Sequence, residues 1–465
     1  MTLIKSISGI RGTIGGKSGE NLTPVDIVKF TSAFVAFLRE NTDKEDLTFV
    51  VGRDARLSGT MLNNLVCGTL QSMGVNVIDT GLSTTPTVEM AVIQHQADGG
   101  IVITASHNPI QWNALKLLNA KGEFISDHDA ERLLKLSENK KIQFAEVRQL
   151  GQYKQVNDTI DKHIDDILAL DLVDVDAVRN ANFSIIADCV NSTGGIAIPK
   201  LLEKLGVTKM KMVNGDVSGV FAHNPEPLPD HLYEISEEIR KDNYQLGFVV
   251  DPDVDRLALV MENGEMFGEE YTLVAVADYV LQHKKGPAVS NLSSSCALDD
   301  LCKRHGVACY KSAVGEVNVV KKMKETGAVI GGEGNGGIIY PELHYGRDAL
   351  VGIALLLTYM AKSGKDCFEL RRHYSNYYIS KNKIDLTADM DIPGILRFIA
   401  LKYADHEVTT IDGVKIDFDD YWVHLRSSNT EPIIRIYAEA QNESTAENIV
   451  NKIKMDIREF IHSRE

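Results

Sequence analysis

The chain has 465 residues, a mass of 51.3 kDa and a formal charge of −16. At roughly 150 residues per domain this length suggests about three domains, and 44% hydrophobic with 25% charged residues excludes a disordered or collagen-like polymer. So acidic a chain attracts neither nucleic acid nor an anionic membrane by its overall field, so neither partner is expected; an anionic ligand would need locally clustered arginines. The segment Met1 to Arg11 has no long apolar stretch, and no apolar run reaches the ~18 residues of a membrane span. Six scattered cysteines without a CxxC pair are expected to be reduced thiols, and the expected location is cytoplasmic.

Short apolar strands alternate with helical stretches. Val25–Arg39 reads as a helix, Leu47–Val51 as a buried strand, Met61–Met73 as a helix, and Val75–Ile78 and Gly100–Thr104 as strands. The pattern restarts at the strand Phe183–Ala187, continues through a helix to Leu205, and closes with Leu246–Val250. A third unit opens with the strand Arg256–Met261, and Asn263-Gly264 predicts a hairpin turn. Tyr271–Gln282 is helical, with strands near Ala288 and Ala328. From about Phe368 the character changes. Val414–Phe418, Tyr421–Leu425 and Ile433–Ala440 read as antiparallel strands, and Ala446–Ile461 as an amphipathic helix. The expectation is three α/β units with mixed sheets at 1–152, 153–250 and 251–368, and an α+β unit at 369–465.

Four segments carry polar chemistry. Thr104-Ala-Ser106-His107-Asn-Pro109 follows a buried strand, where α/β proteins place their sites. Ser106 is a candidate nucleophile or phosphate carrier, although it lacks the G-x-S-x-G elbow of hydrolases; a polar turn before proline is the alternative. Asp251-Pro-Asp253-Val-Asp255-Arg256 puts three carboxylates at alternate positions, a self-repelling set that a hard divalent cation relieves; a solvated acidic turn competes. An EF-hand is excluded because Arg256 stands where the loop needs glycine. Gly332-Glu333-Gly-Asn335-Gly-Gly337 offers close backbone approach and two polar groups suited to sugar hydroxyls, or a plain glycine turn. In Arg426-Ser-Ser428-Asn429-Thr430-Glu-Pro-Ile-Ile-Arg435, two arginines flank small polar side chains, which suits a phosphate; cross-strand arginines in a hairpin are the alternative. Gly12–Ser18 only mimics a P-loop, since its glycine spacing is short and no helix follows.

In this order, and over essentially the whole chain, the four segments resemble the α-D-phosphohexomutase family. The resemblance implies four domains around a deep central cleft and a small-molecule phosphosugar substrate. It implies interconversion of hexose 6-phosphate and hexose 1-phosphate through a phosphoserine enzyme, with a hexose 1,6-bisphosphate as intermediate and activator. Ser106 matches the phosphoserine, and Asp251, Asp253, Asp255 and a phosphoserine oxygen match the Mg²⁺ ligands. Glu333 and Asn335 fall in the sugar loop; Arg426, Ser428, Asn429, Thr430 and Arg435 fall in the phosphate loop. Arg11, in Ser8-Gly-Ile-Arg11, matches the amino-terminal active-site arginine, Lys116 the lysine near the reacting hydroxyl, and His107 and Arg256 line the same zone. A lysine base needs a lowered pKa, which neighbouring cations are expected to supply.

Some positions depart from the pattern. Pro252 replaces a common glycine, and Ala114, before Lys116, is expected to tighten a loop. Asn335 and Gly337 replace a serine and a histidine of other branches, so the sugar loop resembles the branch assigned to glucosamine phosphate; Glu316 would meet an amino sugar's ammonium. The alternatives are a broad phosphoglucomutase/phosphomannomutase, a silent sugar-phosphate-binding scaffold and a metal phosphatase. A monomer or a homodimer is expected.

Overall fold

The computed structural model of the chain describes residues 2–6, 9–138, 142–385, 390–427 and 433–462. Of the residues singled out above, Ser8, Ser428, Asn429 and Thr430 lie outside that set.

The first sheet holds β1 (Ile4–Ser6), β2 (Gly9–Thr13), β3 (Thr48–Arg53), β4 (Asn76–Leu82), β5 (Gly99–Ile103), β6 (Trp112–Asn119) and β7 (Tyr153–Gln155). Its order is β1-β2-β6-β5-β3-β4-β7. β5, β3, β4 and β7 run parallel, while β6 lies antiparallel between β2 and β5. Burial on both faces makes strands such as β5 read as continuous apolar runs. The second sheet holds β8 (Ser184–Asp188), β9 (Lys209–Val213), β10 (Leu246–Val250) and β11 (Leu257–Met261), in the order β11-β10-β8-β9. The third holds β12 (Ala288–Asn291), β13 (Cys309–Ser312), β14 (Ile330–Glu333) and β15 (Gly337–Ile339), in the order β13-β12-β14-β15. The fourth is wholly antiparallel: β16 (Tyr378–Asp385), β17 (Glu407–Thr409), β18 (Val414–Asp417), β19 (Trp422–Ser427) and β20 (Ile433–Ala440), in the order β16-β20-β19-β18-β17. The closing helix Glu443–His462 lays Ala446, Val450, Ile453 and Ile457 on that sheet's core, one stripe of a 3.6-residue period.

Three mixed or parallel sheets and an antiparallel fourth therefore match the expected fold class. The Asn263-Gly264 turn closes a short bridge between Val260 and Met266. The expected boundaries fall early. β7 extends the first sheet past 152, β11 pairs with β10 and extends the second past 250, and Leu370 and Tyr374 are buried in the core beyond 368. The reason is physical. β7 is an exposed edge strand with no apolar pattern, and one continuous apolar core serves the second and third sheets, so burial does not mark a border there. Lys116, expected on a loop, sits in β6 beside β5 and β2, so Ala114 belongs to a strand. Among the described residues, no helix is long and apolar enough to cross a membrane.

The fold brings three central strands, β5, β10 and β14, to end at one place. Their carboxyl ends release the Ser106, Asp251–Asp255 and Glu333–Asn335 segments. Because the core is continuous, damage at Phe248, fully buried in β10, should spread to both neighbouring sheets. Phe248→Ala is expected to cost about 3–5 kcal/mol, read as a lower urea midpoint. Val147→Ala, at an exposed position, should stay within about 0.5 kcal/mol.

Candidate active site

Ser106 follows β5 and is buried, with a left-handed backbone (φ +48°) that a non-glycine residue adopts only when its surroundings impose it. The imposing group is Arg56. Its guanidinium, buried itself, donates to the carbonyls of Ser106 (2.5 Å), Asn108 (2.6 Å), Pro109 (2.9 Å) and Trp112 (2.9 Å). Its Nε donates to Asp54 Oδ2 at 3.1 Å, and Phe221 covers the guanidinium at 4.9 Å. Asp54 also accepts from Thr104 Oγ1 at 2.6 Å, and Thr104 Oγ1 in turn accepts from the Ser106 amide. The whole turn thus hangs from one ion pair, and the Ser106 hydroxyl donates to Asp251 Oδ2 at 2.6 Å.

Asp251, Asp253 and Asp255 are all fully buried, with carboxylate oxygens within 4.8 Å of one another. Ser192 and Thr193 hydroxyls pin the loop by donating to the Pro252 carbonyl at 2.7 and 2.8 Å, so proline is accommodated there. Cations and donors gather from other units. Lys116 Nζ lies 2.7 Å from Asp253 Oδ2 and 3.3 Å from Asp255 Oδ2. Arg347 Nη2 lies 2.7 Å from Asp255 Oδ2, and Thr85 Oγ1 donates to Asp253 at 2.6 Å. Even so, Asp253 Oδ1 and Asp255 Oδ1 are buried without a hydrogen bond among the described residues. Buried carboxylate oxygens left bare cost free energy unless a cation meets them, so the triad has the donor chemistry of a divalent metal site.

The local charges overturn one expectation. Burial disfavours the Lys116 ammonium, but Asp253 and Asp255 outweigh it and hold its pKa above that of an ordinary lysine, so cationic neighbours do not lower it. His107 moves the opposite way, because burial and then Arg256 and Arg11 disfavour its charged form. Burial with two carboxylate neighbours raises Asp251, while for Asp255 Arg347, Lys116 and Arg256 overcome burial and hold the group ionised. Arg11 donates to the Asn108 side chain at 2.9 Å, beside the Ser106 turn.

Glu333 ends β14. Its Oε1 accepts from Asn291 (2.9 Å) and the Gly315 amide (3.0 Å), and its Oε2 from Arg347 (2.8 Å). Gly336 has φ +83°, and a Cβ there would stand 2.3 Å from the Leu257 carbonyl, so glycine lets this turn dock on β11. Asn335 faces the cleft. Glu316 is less free than expected, because Arg347 holds it through its amide at 3.0 Å and its Nε at 3.1 Å. Arg426 and Arg435 stand opposite each other on β19 and β20, a like-charged pair that favours an anion between them.

These groups surround one cleft of about 420 Å³, with Arg11, Ser106 and Lys116 from the first sheet's unit, Arg256 and Glu226 from the second, Glu333 and Arg347 from the third, and Lys381, Arg426 and Arg435 from the fourth. Sequence reasoning missed Arg56, Arg347, Glu226 and Lys381. Arg56 had a signal, its place just past the carboxyl end of β3; Arg347 had none, because its carboxylate partners are distant in sequence.

Residues 3–143, 161–264 and 268–377 match the phosphoglucomutase/phosphomannomutase alpha/beta/alpha domain I, II and III models, and residues 382–455 match the C-terminal domain model. The chain belongs to the phosphoglucomutase/phosphomannomutase family. It is 36% identical to a phosphoglucomutase/phosphomannomutase of Thermococcus kodakarensis (94% of this chain, 95% of that one) and 33% identical to a phosphoglucosamine/phosphogalactosamine mutase of Sulfurisphaera tokodaii (96% and 97%). A family protein of Burkholderia thailandensis has the same fold, with a TM-score of 0.84, 25% identity and 98% of each chain covered. The protein is accordingly an isomerase of the phosphohexomutase class.

Removing Arg56 takes a donor from four carbonyls, of which Pro109 keeps the Trp112 amide at 3.0 Å, and leaves the buried Asp54 carboxylate without its ion pair. Arg56→Met is expected to cost about 3–5 kcal/mol in urea unfolding, and Arg56→Lys, unable to reach four carbonyls, should recover only part of that.

Proposed function

We propose that the chain interconverts hexose 6-phosphate and hexose 1-phosphate by way of a phosphorylated Ser106, with glucosamine phosphate as its preferred substrate. The observation that carries this reading is the Ser106 hydroxyl, held in a strained turn 2.6 Å from the buried Asp251 within a cleft walled by cations. Asp251, Asp253 and Asp255, with an oxygen of the phosphorylated Ser106, would hold Mg²⁺, a hard ion suited to an all-oxygen set. Once bound, the ion would offset the negative charge of the phosphoryl group.

The chain's own residues do the rest. Arg426 and Arg435 hold the phosphate already on the sugar, while Glu333 and Asn335 orient its hydroxyls. The free hydroxyl then faces Ser106, its oxygen bonds to phosphorus, and the bond from phosphorus to Ser106 Oγ breaks. The hydroxyl proton passes, by way of neutral His107, to the Ser106 oxygen that the phosphoryl group leaves, while the Lys116 ammonium and Arg11 stabilise the charge. The sugar, now a bisphosphate, turns end for end, and its other phosphate returns to Ser106. A hexose 1,6-bisphosphate supplied from outside would activate enzyme whose Ser106 carries no phosphate. Lys116, Arg347, Arg256 and Arg11 meet the moving charge with preorganised cations.

Two observations support the amino sugar. Glu226, whose nearest basic groups lie 3.8 and 4.0 Å away, lines the cleft and gives an ammonium group a carboxylate neighbour. The Sulfurisphaera tokodaii relative is named for glucosamine and galactosamine phosphates. The second reading is a phosphoglucomutase/phosphomannomutase of broad specificity, favoured by the name of the Thermococcus kodakarensis relative.

The test compares kcat/KM for glucosamine, glucose and mannose phosphates on one Mg²⁺-loaded, phosphorylated preparation. At least a tenfold preference for glucosamine phosphate is expected, about 1.4 kcal/mol in the transition state. A glucose or mannose phosphate preference would replace the substrate and leave the mutase reaction in place. Ser106→Ala should accept no phosphoryl group from a labelled bisphosphate and show no turnover. Lys116→Ala should lower kcat by about 100-fold or more with little change in KM; normal turnover would overturn its role.

A further inference from the structure

A second buried cluster lies apart from the carboxylate loop. His163, in the helix Thr159–Leu168, and His344 and Asp348, in the segment between β15 and the helix Ala349–Ser363, converge with Glu89 from the helix Thr85–Gln94. All four are buried, at 5% exposure or less. Asp348 divides its labour. Oδ1 caps the helix Ala349–Ser363 by accepting from the Leu350 amide at 2.8 Å, and Oδ2 faces the imidazoles, 2.9 Å from His163 Nε2 and 3.4 Å from His344 Nε2.

We infer that His163 Nε2, His344 Nε2 and Asp348 Oδ2 form a second metal site, for Zn²⁺ or a similar borderline divalent ion. Bonds of about 2.0–2.1 Å in a tetrahedron place neighbouring donors about 3.3 Å apart. Two of the three separations already lie near that value, and all three donor atoms fall within 4.8 Å, so small side-chain movements complete the set. Each imidazole also has the outer partner that a metal-bound histidine needs. His163 Nδ1 lies 3.0 Å from Thr87 Oγ1, and His344 Nδ1 lies 3.2 Å from Glu89 Oε2. With Nε2 on a metal, both Nδ1 atoms carry hydrogen and donate outward.

Among the described residues, Glu89 Oε1 is buried without a hydrogen bond, and Glu89 Oε2 has only His344 Nδ1 nearby, at 3.2 Å. A divalent ion at Asp348 would let both imidazoles stay neutral while buried. The nitrogen donors distinguish this site from the all-oxygen loop and select against Mg²⁺. Its role is structural. It ties two helices to the segment carrying Arg347, the residue next to Asp348 that reaches Asp255 and Glu333.

The experiment uses the full chain. After dialysis against Mg²⁺ buffer, elemental analysis should find about one equivalent of Zn²⁺ or a similar ion. Chelated protein titrated with Co²⁺ should develop the visible bands of tetrahedral cobalt, and X-ray absorption should show imidazole scattering. His163→Asn and His344→Asn should each weaken Co²⁺ binding at least tenfold, while Asp253→Asn should leave it unchanged. Absence of retained metal together with absence of tetrahedral cobalt bands would overturn the site. So would bands that survive both histidine changes, or bands lost in Asp253→Asn, which would place the ion in the carboxylate loop. X-ray absorption on the unsubstituted protein decides the matter if the variants do not fold, since scattering without imidazole excludes the site.

Discussion

Three fully buried carboxylates on a single loop are the constraint around which the molecule is arranged. Asp251, Asp253 and Asp255 repel one another in a medium that screens poorly, and burial with those neighbours pushes the Asp251 carboxyl up. They stay useful because countercharge arrives from three units: Lys116 from β6, Arg256 from the loop itself, and Arg347 from the segment after β15. Each cation is itself nearly buried and is held by the carboxylates it neutralises. The sheets therefore dock through charge as well as through the continuous apolar core of the second and third.

The Ser106 turn answers the same demand. A hydroxyl beside these aspartates presents its oxygen at the carboxyl end of β5 while its backbone adopts a left-handed conformation. That conformation is unfavourable for serine, and Arg56 over-determines it with its carbonyl contacts. Position is thus secured by an arginine that does not face the substrate, which frees Arg11, Arg256 and Lys116 to line the cleft. On the opposite wall, the like charges of Arg426 and Arg435 are tolerable because Asp412 lies 3.5 Å from Arg426 and because the cleft admits an anion.

Much was legible in the chain itself. Apolar strands ending in polar residues located β5 and β10 and hence Ser106 and the aspartates, since a strand buried on both faces must be apolar along its length, whereas β14, half glycine and ending in Glu333, begins at Ile330, where the expected strand ended. The alternating strands and closing helix of the last unit were equally plain. Short exposed strands such as β7 carried no such pattern, and β6 hid because its lysine is buried by partners far along the chain.

The sequence by itself determined where polar side chains concentrate, because three aspartates in one loop, a serine after a buried strand and paired arginines are local patterns. Only the tertiary structure decided what those residues do to one another. Lys116 lies 137 positions from Asp253, and Arg347 lies 92 positions from Asp255, yet both meet the aspartates within 3.3 Å. That is why a lysine expected to be lowered by cations is raised by carboxylates instead, and why Glu316 is held by Arg347. Charge interactions act through space over a few ångströms in a poorly screening interior, and sequence spacing does not encode those distances.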